Sequence, residues 1–188
     1  MMGIPYTIER RPDTGVNNVQ LGIWLFLASE VMLFGGLFSA YFTLRAGSTV
    51  PWEPLRDHLG GALLATLNLM LGTGLVAAAA GWRRHRLSLG AATLFALAFC
   101  VLKSADHQAL FAAGRGPATS TQMATYFLLT GVHLMHVFGG VLANAWLIAV
   151  SGAAPEPAAF ANRLRATSLY WYFVDAVWLV MLVLFYVV

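Results

Sequence analysis

"WLFLASEVMLFGGLFSAYFTLR", residues 24–45, is almost wholly apolar, yet it carries a glutamate, Glu30, well inside the run. A spanning helix needs about 20 mostly apolar residues, so this stretch is long enough to cross a bilayer. Four further stretches qualify, and the five expected helices cover approximately residues 19–44, 60–82, 87–110, 121–150 and 165–188. The links between them are short and carry loop punctuation: "GSTVPWEP", "RRHR", "GRGP" and "SGAAPEP". Ser120 or Thr121 is placed to cap the fourth helix. In the third, "LSLGAATLFALAFCVL" is followed by Lys103, Asp106 and His107. These three belong at the membrane-exit end, with Lys103 snorkelling to the interface.

Composition agrees with this reading. The 188 residues are 59% hydrophobic and 10% charged, with a mean hydropathy of +0.71. Soluble domains carry about 25% charged residues. The expected fold is therefore an all-α polytopic membrane bundle: a polar tail over residues 1–18, then a single five-helix transmembrane domain over 19–188. No stretch is left over for a soluble domain. The net charge of +3 lacks a basic cluster with interleaved aromatics, which argues against a nucleic-acid partner. Cys100 is the one cysteine and forms no intrachain disulfide. The first apolar stretch is too long for a cleaved signal, and it carries Glu30, so it reads as a retained helix. No internal repeat is visible, which weighs against an inverted-repeat transporter.

Basic residues set the expected orientation. Arg10, Arg11, Arg83, Arg84, Arg86, Arg163 and Arg165 fall on one side of the membrane, and Arg45, Arg56, Lys103 and Arg115 on the other. By the positive-inside rule the N-terminus is cytoplasmic and the C-terminus lies outside.

The polar groups inside the spans bear on function. Glu30 lies at a depth where ionisable groups cost several kcal/mol and usually face the protein interior. Gly35 and Ser39, and Gly36 and Ala40, form small-xxx-small pairs suited to close helix packing. In "YFLLTGVHLMHVFGG", residues 126–140, His133 and His136 are three apart and share a helix face. A zinc site needs at least three protein ligands. Glu30 and Asp175 are the groups available to complete a mixed site. Asp175 sits among Tyr170, Trp171, Tyr172 and Trp178 in "YWYFVDAVW", with Asn68 and Asn144 as expected hydrogen-bond partners. On residues alone, helix tying, a proton relay, a lipid-headgroup contact and a metal site all stay open, with interhelical hydrogen bonding favoured.

Three stretches together, 24–45, 126–140 and "YWYFVDAVWL" at 170–179, resemble subunit III of the haem–copper cytochrome oxidases. They fall in the family's order and spacing, and the likeness runs from Gln20 to the end of the chain. A seven-helix form carries two more helices at its N-terminus, so this chain is similar to the five-helix bacterial form. The resemblance implies a non-catalytic subunit of the bacterial inner membrane, beside subunit I and subunit II, that supports proton uptake and holds phospholipid. Haem and copper would then belong to partner subunits, with no metal and no redox centre here. It marks Glu30, Arg45, His133, His136, Trp171, Tyr172 and Asp175 as structural, lipid-holding or proton-supporting residues, and none as catalytic. Two departures stand out: Tyr172 occupies the place of a histidine, and Asp106 and His107 stand where a Glu-Tyr pair is usual. An accessory subunit of a nitric oxide reductase is the near alternative. A small ion or solute transporter is the distant one.

Overall fold

A computed structural model describes residue 6 and residues 8–79, 85–151 and 157–188. Five helices make up the described chain: α1 (Asn18–Ala46), α2 (Leu59–Ala79), α3 (His85–Ala112), α4 (Thr121–Val150) and α5 (Pro157–Leu182). All five are long and apolar enough to cross a membrane, as the sequence reading expects. The expected end of the second helix at 82, together with Arg83 and Arg84, lies outside the described residues.

Local chemistry starts the helices. Asn17 caps α1 by accepting from the Gln20 backbone N–H at 2.9 Å, while the Gln20 side chain faces the Asn17 N–H. This reciprocal arrangement is a capping box, which satisfies two otherwise orphaned donors. Ser120 Oγ caps α4 by accepting from Met123 N at 3.1 Å. The fifth helix begins at Pro157, where the sequence reading starts it at 165. Proline is favoured at a first helical position because its missing N–H has no helical partner there anyway. Phe160 and Leu164, one turn apart, bury the early face. The polar Asn162, Arg163 and Arg165 on the other faces shorten the apolar run without ending the helix.

Packing grades the helices from hub to rim. Helix α5 is the hub, with Trp171, Val174, Trp178 and Met181 almost wholly enclosed. Helices α2 and α3 form a tight hairpin: a Cβ on Gly72 would lie 3.2 Å from the Ala92 carbonyl oxygen. Glycine on α4 plays the same part against α5, since a Cβ on Gly140 would meet Trp171 at 2.5 Å. Helix α1 is peripheral and buries only Leu27, Phe34 and Tyr41, a seam one residue wide repeating every seventh position. Its small residues do not serve packing within this chain. Gly35, Gly36, Ser39 and Ala40 are all exposed, and a Cβ on either glycine would meet nothing within 4 Å. The expected small-xxx-small contact therefore faces outward.

At the end of the bundle away from the N-terminus, the segment after α1 folds across the helix ends. Leu55 N–H donates to the Phe185 carbonyl at 2.8 Å, and Trp52 stands edge-on to Tyr41 with centroids 5.3 Å apart. The last residues, Val183–Val187, form a single π-turn.

Candidate functional site

Glu30 lies one turn from both Leu27 and Phe34, so it shares the inward seam of α1. There its Oε2 meets His136 Nε2 of α4 at 2.8 Å. The other ring nitrogen of His136 lies 2.8 Å from the Val132 carbonyl. A carbonyl only accepts, so Nδ1 carries a proton. The Nε2–Oε2 contact therefore holds one shared proton, either on the carboxyl or on the ring, and the pair is neutral overall. Phe34 stands edge-on to His136 with centroids 5.0 Å apart, and Tyr170 of α5 donates its hydroxyl to the His136 carbonyl at 2.7 Å. One glutamate thus links α1, α4 and, through the backbone, α5.

The two histidines part company in the fold. His133 turns toward a different set of neighbours, stacked on Trp178 of α5 with centroids 5.5 Å apart and edge-on to Phe99 of α3. It is buried, and neither of its ring nitrogens finds a partner. The expectation that both histidines tie helices by hydrogen bonds holds for His136 only; His133 packs as an aromatic plate. Asp175 also departs from expectation. Asn144 accepts from Trp171 Nε1 at 3.2 Å, and Asn68 donates to Leu64 of its own helix at 2.9 Å, so neither reaches Asp175. Thr73 of α2 stands beside Asp175, but neither Thr73 Oγ1 nor Asp175 Oδ1 completes a hydrogen bond. One turn further along α5, Trp178 Nε1 donates to Thr66 of α2 at 2.8 Å. Tyr172 points out of the bundle and is 51% exposed, so it remakes no interior bond of a histidine.

A second cluster lies at the far end, and sequence reasoning missed it. Lys103 does not snorkel outward: it is 1% exposed, and its Nζ donates to Asp106 at 2.5 Å, Tyr126 at 2.8 Å and Tyr186 at 2.7 Å. Asp106 also accepts from Tyr126 at 2.7 Å and pairs with His58 from the segment preceding α2. The i,i+3 spacing of Lys103 and Asp106 was the available signal, but it does not say which way the pair faces. Arg45 closes this end by donating to Tyr41 Oη at 2.8 Å and to the Val188 carbonyl at 3.0 Å. Outside the spans, the hydrogen bond from Arg11 holds the Asp13 carboxyl below its usual range.

Chemically, these groups bind helices to one another. Among the described residues, no three His, Cys, Asp or Glu side chains converge as a ligand group. Two surface grooves open near the N-terminal side. One, of about 320 Å³, lies between α1, α4 and α5 and is lined by Ile23, Phe26, Gly139, Ala143, Thr167 and Tyr170. The other, of about 360 Å³, is lined by Gln20, Ala77, Arg165, Ser168 and Tyr172.

The family model of cytochrome c oxidase subunit III matches residues 12–188, which takes in every helix just described. The chain belongs to that family. Among its relatives, the probable cytochrome c oxidase subunit 3 of Mycobacterium tuberculosis is 32% identical over 90% of this chain and 88% of its own length. The cytochrome bo(3) ubiquinol oxidase subunit 3 of Pseudomonas aeruginosa is 29% identical over 89% of this chain and 83% of its own. The heme-copper oxidase subunit I+III of Aeropyrum pernix is 34% identical over 92% of this chain, which spans only 23% of that relative's length. The family's members thus include one in which subunits I and III share a single polypeptide.

Proposed function

We propose that this chain is the non-catalytic subunit III of a bacterial respiratory haem–copper oxidase, seated beside catalytic subunit I in the inner membrane. The observation that carries the reading is the Glu30–His136 contact at 2.8 Å, which pins the loosely packed α1 to the bundle. A group that must relay protons through the chain would need polar neighbours on both sides. Here Leu27 and Phe34 flank the pair along the seam of α1. Among the described residues, the one further side-chain contact to the carboxyl is the adjacent Ser29 hydroxyl at 3.4 Å, which favours a holding role.

The other residues fit the same division of labour. His133, Trp171 and Asp175 line the seam of α4 and α5 with α2 and α3, and Arg45 fastens the far end. Tyr172, beside Arg165 and Gln20, borders a groove whose single cation suits an anionic lipid headgroup. The apolar groove beside Tyr170 suits an acyl chain. Lipid and helix contacts at that level would steady subunit I where protons enter it. Haem and copper belong to the partner subunits in this reading, and electrons reach them without passing through this chain. With Lys103 turned inward, the basic residues outside the bundle favour a cytoplasmic N-terminus more strongly than the raw sequence count.

The test is to purify the complex from native membranes through a tag on this chain and record its optical spectrum. A copurifying haem protein with oxygen-reducing activity is expected. Nitric oxide reduction without oxygen reduction would move the chain to the related reductase. Purification free of any haem protein would reject the proposal.

A further inference from the structure

Asn68 sits one residue from the midpoint of α2, at residue 69, on the outward side of the helix. Its amide nitrogen is used by the Leu64 carbonyl of the preceding turn at 2.9 Å. That contact fixes the orientation of the amide, because a carbonyl only accepts. The amide oxygen is left as an acceptor with no bond to any described residue. Its neighbours along the helix surface are 50% exposed at Leu64 and 55% at Leu71.

Apolar exposure alone says nothing in a membrane, since lipid covers it. An amide oxygen in the hydrocarbon is different: it has no water to bond, and leaving it unmet is costly. The other outward polar groups escape this problem more easily. Ser29 and Thr43 of α1 donate to carbonyls of their own helix at 2.7 and 2.9 Å. Ser39, Ser104 and Gln108 lie in the outer halves of α1 and α3, nearer the interface. The outward face of α4, with Leu128, Met135, Phe138, Leu142 and Trp146, is apolar throughout.

Around Asn68 the outward face has the spacing of a helix-docking seam: Gly61, Leu64, Asn68 and Leu71 alternate by three and four. The line runs on through Leu75, which also packs on the chain's own core, to Ala78. That period lets a second helix follow α2 across the membrane, and one buried polar residue in such a seam fixes its register. We infer that this face of α2 seats a transmembrane helix of the catalytic subunit that presents a hydrogen-bond donor at mid-membrane to Asn68 Oδ1. The inference rests on the proposed function and names its contact surface. A second copy of this chain is the other possible occupant. The fused subunit I+III relative argues against it, because one polypeptide supplies the two modules in equal number and in one membrane.

The experiment uses the whole complex, tagged on this chain, in a Cys100→Ala background. Single cysteines replace the exposed Leu64, Leu67 and Leu71 on α2, with Met135 and Leu142 on α4 as controls. Each is labelled in membranes with benzophenone maleimide and irradiated. The α2 positions should give an adduct containing one copy of this chain and one of subunit I, and the α4 positions should not. In parallel, Asn68→Leu should lower retention of subunit I by about tenfold under stringent detergent. The melting temperature of the separated chain should change little, because the amide bonds only a carbonyl of its own helix and reaches no other helix of the chain. An adduct of two copies of this chain, subunit I adducts from α4 alone, or unchanged retention in Asn68→Leu would each overturn the inference. In all three cases a haem–copper subunit still copurifies with the unsubstituted chain, so the proposed function survives. If none copurifies, both fall.

Discussion

At the level of single residues, Glu30 and His136 make one neutral unit, and what replaces either decides the outcome. Glu30→Gln keeps the size and can still donate to His136 Nε2. Glu30→Ala leaves that nitrogen unpaired, at a cost of about 1–3 kcal/mol. The glutamine variant should assemble and respire at a near-normal initial rate. The alanine variant should loosen α1 and shorten the working life of the complex. Oxygen consumption by the purified variants, followed from first turnover to inactivation, checks both outcomes. Immediate loss of turnover in a fully assembled glutamine variant would make Glu30 an essential proton carrier instead. Which residues sit inside the spans was legible from the sequence, because a charge in an apolar run is conspicuous. Which partner each one meets was not. A helix apolar all round has no polar face to mark its outside, so Lys103 could be read as snorkelling when it bonds Tyr126 and Tyr186. For the same reason His133 and His136 were read as a pair, although a small angular offset sends them to different neighbours.

Among the helices, contact distance separates glycines that hold the packing from those that do not. Exchanging glycine for alanine inside a helix gains about 1 kcal/mol from backbone propensity when nothing else changes. At Gly36 nothing lies within 4 Å, so Gly36→Ala should raise or preserve the stability of the separated chain. At Gly140 the new Cβ would stand 2.5 Å from Trp171 Cζ2, and overpacking of that kind costs about 1–3 kcal/mol. The loss outweighs the gain, and Gly140→Ala should lower the melting temperature of the detergent-solubilised chain. Equal stability of the two variants would mean that α4 and α5 do not touch as described. Helix existence was easy to read because five long apolar runs leave little choice. The start of α5 was harder: Arg163 and Arg165 interrupt the hydropathy signal, while Phe160 and Leu164 carry the buried face on to Pro157.

For the whole molecule, five helices that each cross the membrane would place the start of α1 and the end of α5 on opposite sides of it. A reporter active only in the cytoplasm should work when fused after Arg86 and stay silent after Val188; the reverse pattern rejects the proposed orientation. The hub position of α5 also bears on how the chain is made. Helices enter the bilayer in order of synthesis, so α1 to α4 are in place before α5 leaves the ribosome. Until then Thr66 has no Trp178, Asn144 has no Trp171, and Lys103 lacks Tyr186. The half-made protein therefore leaves the oxygens of Thr66 and Asn144 without their indole donors, a chemical badge of incompleteness, while Lys103 keeps Asp106 and Tyr126. The arrival of one helix supplies both indole donors at once.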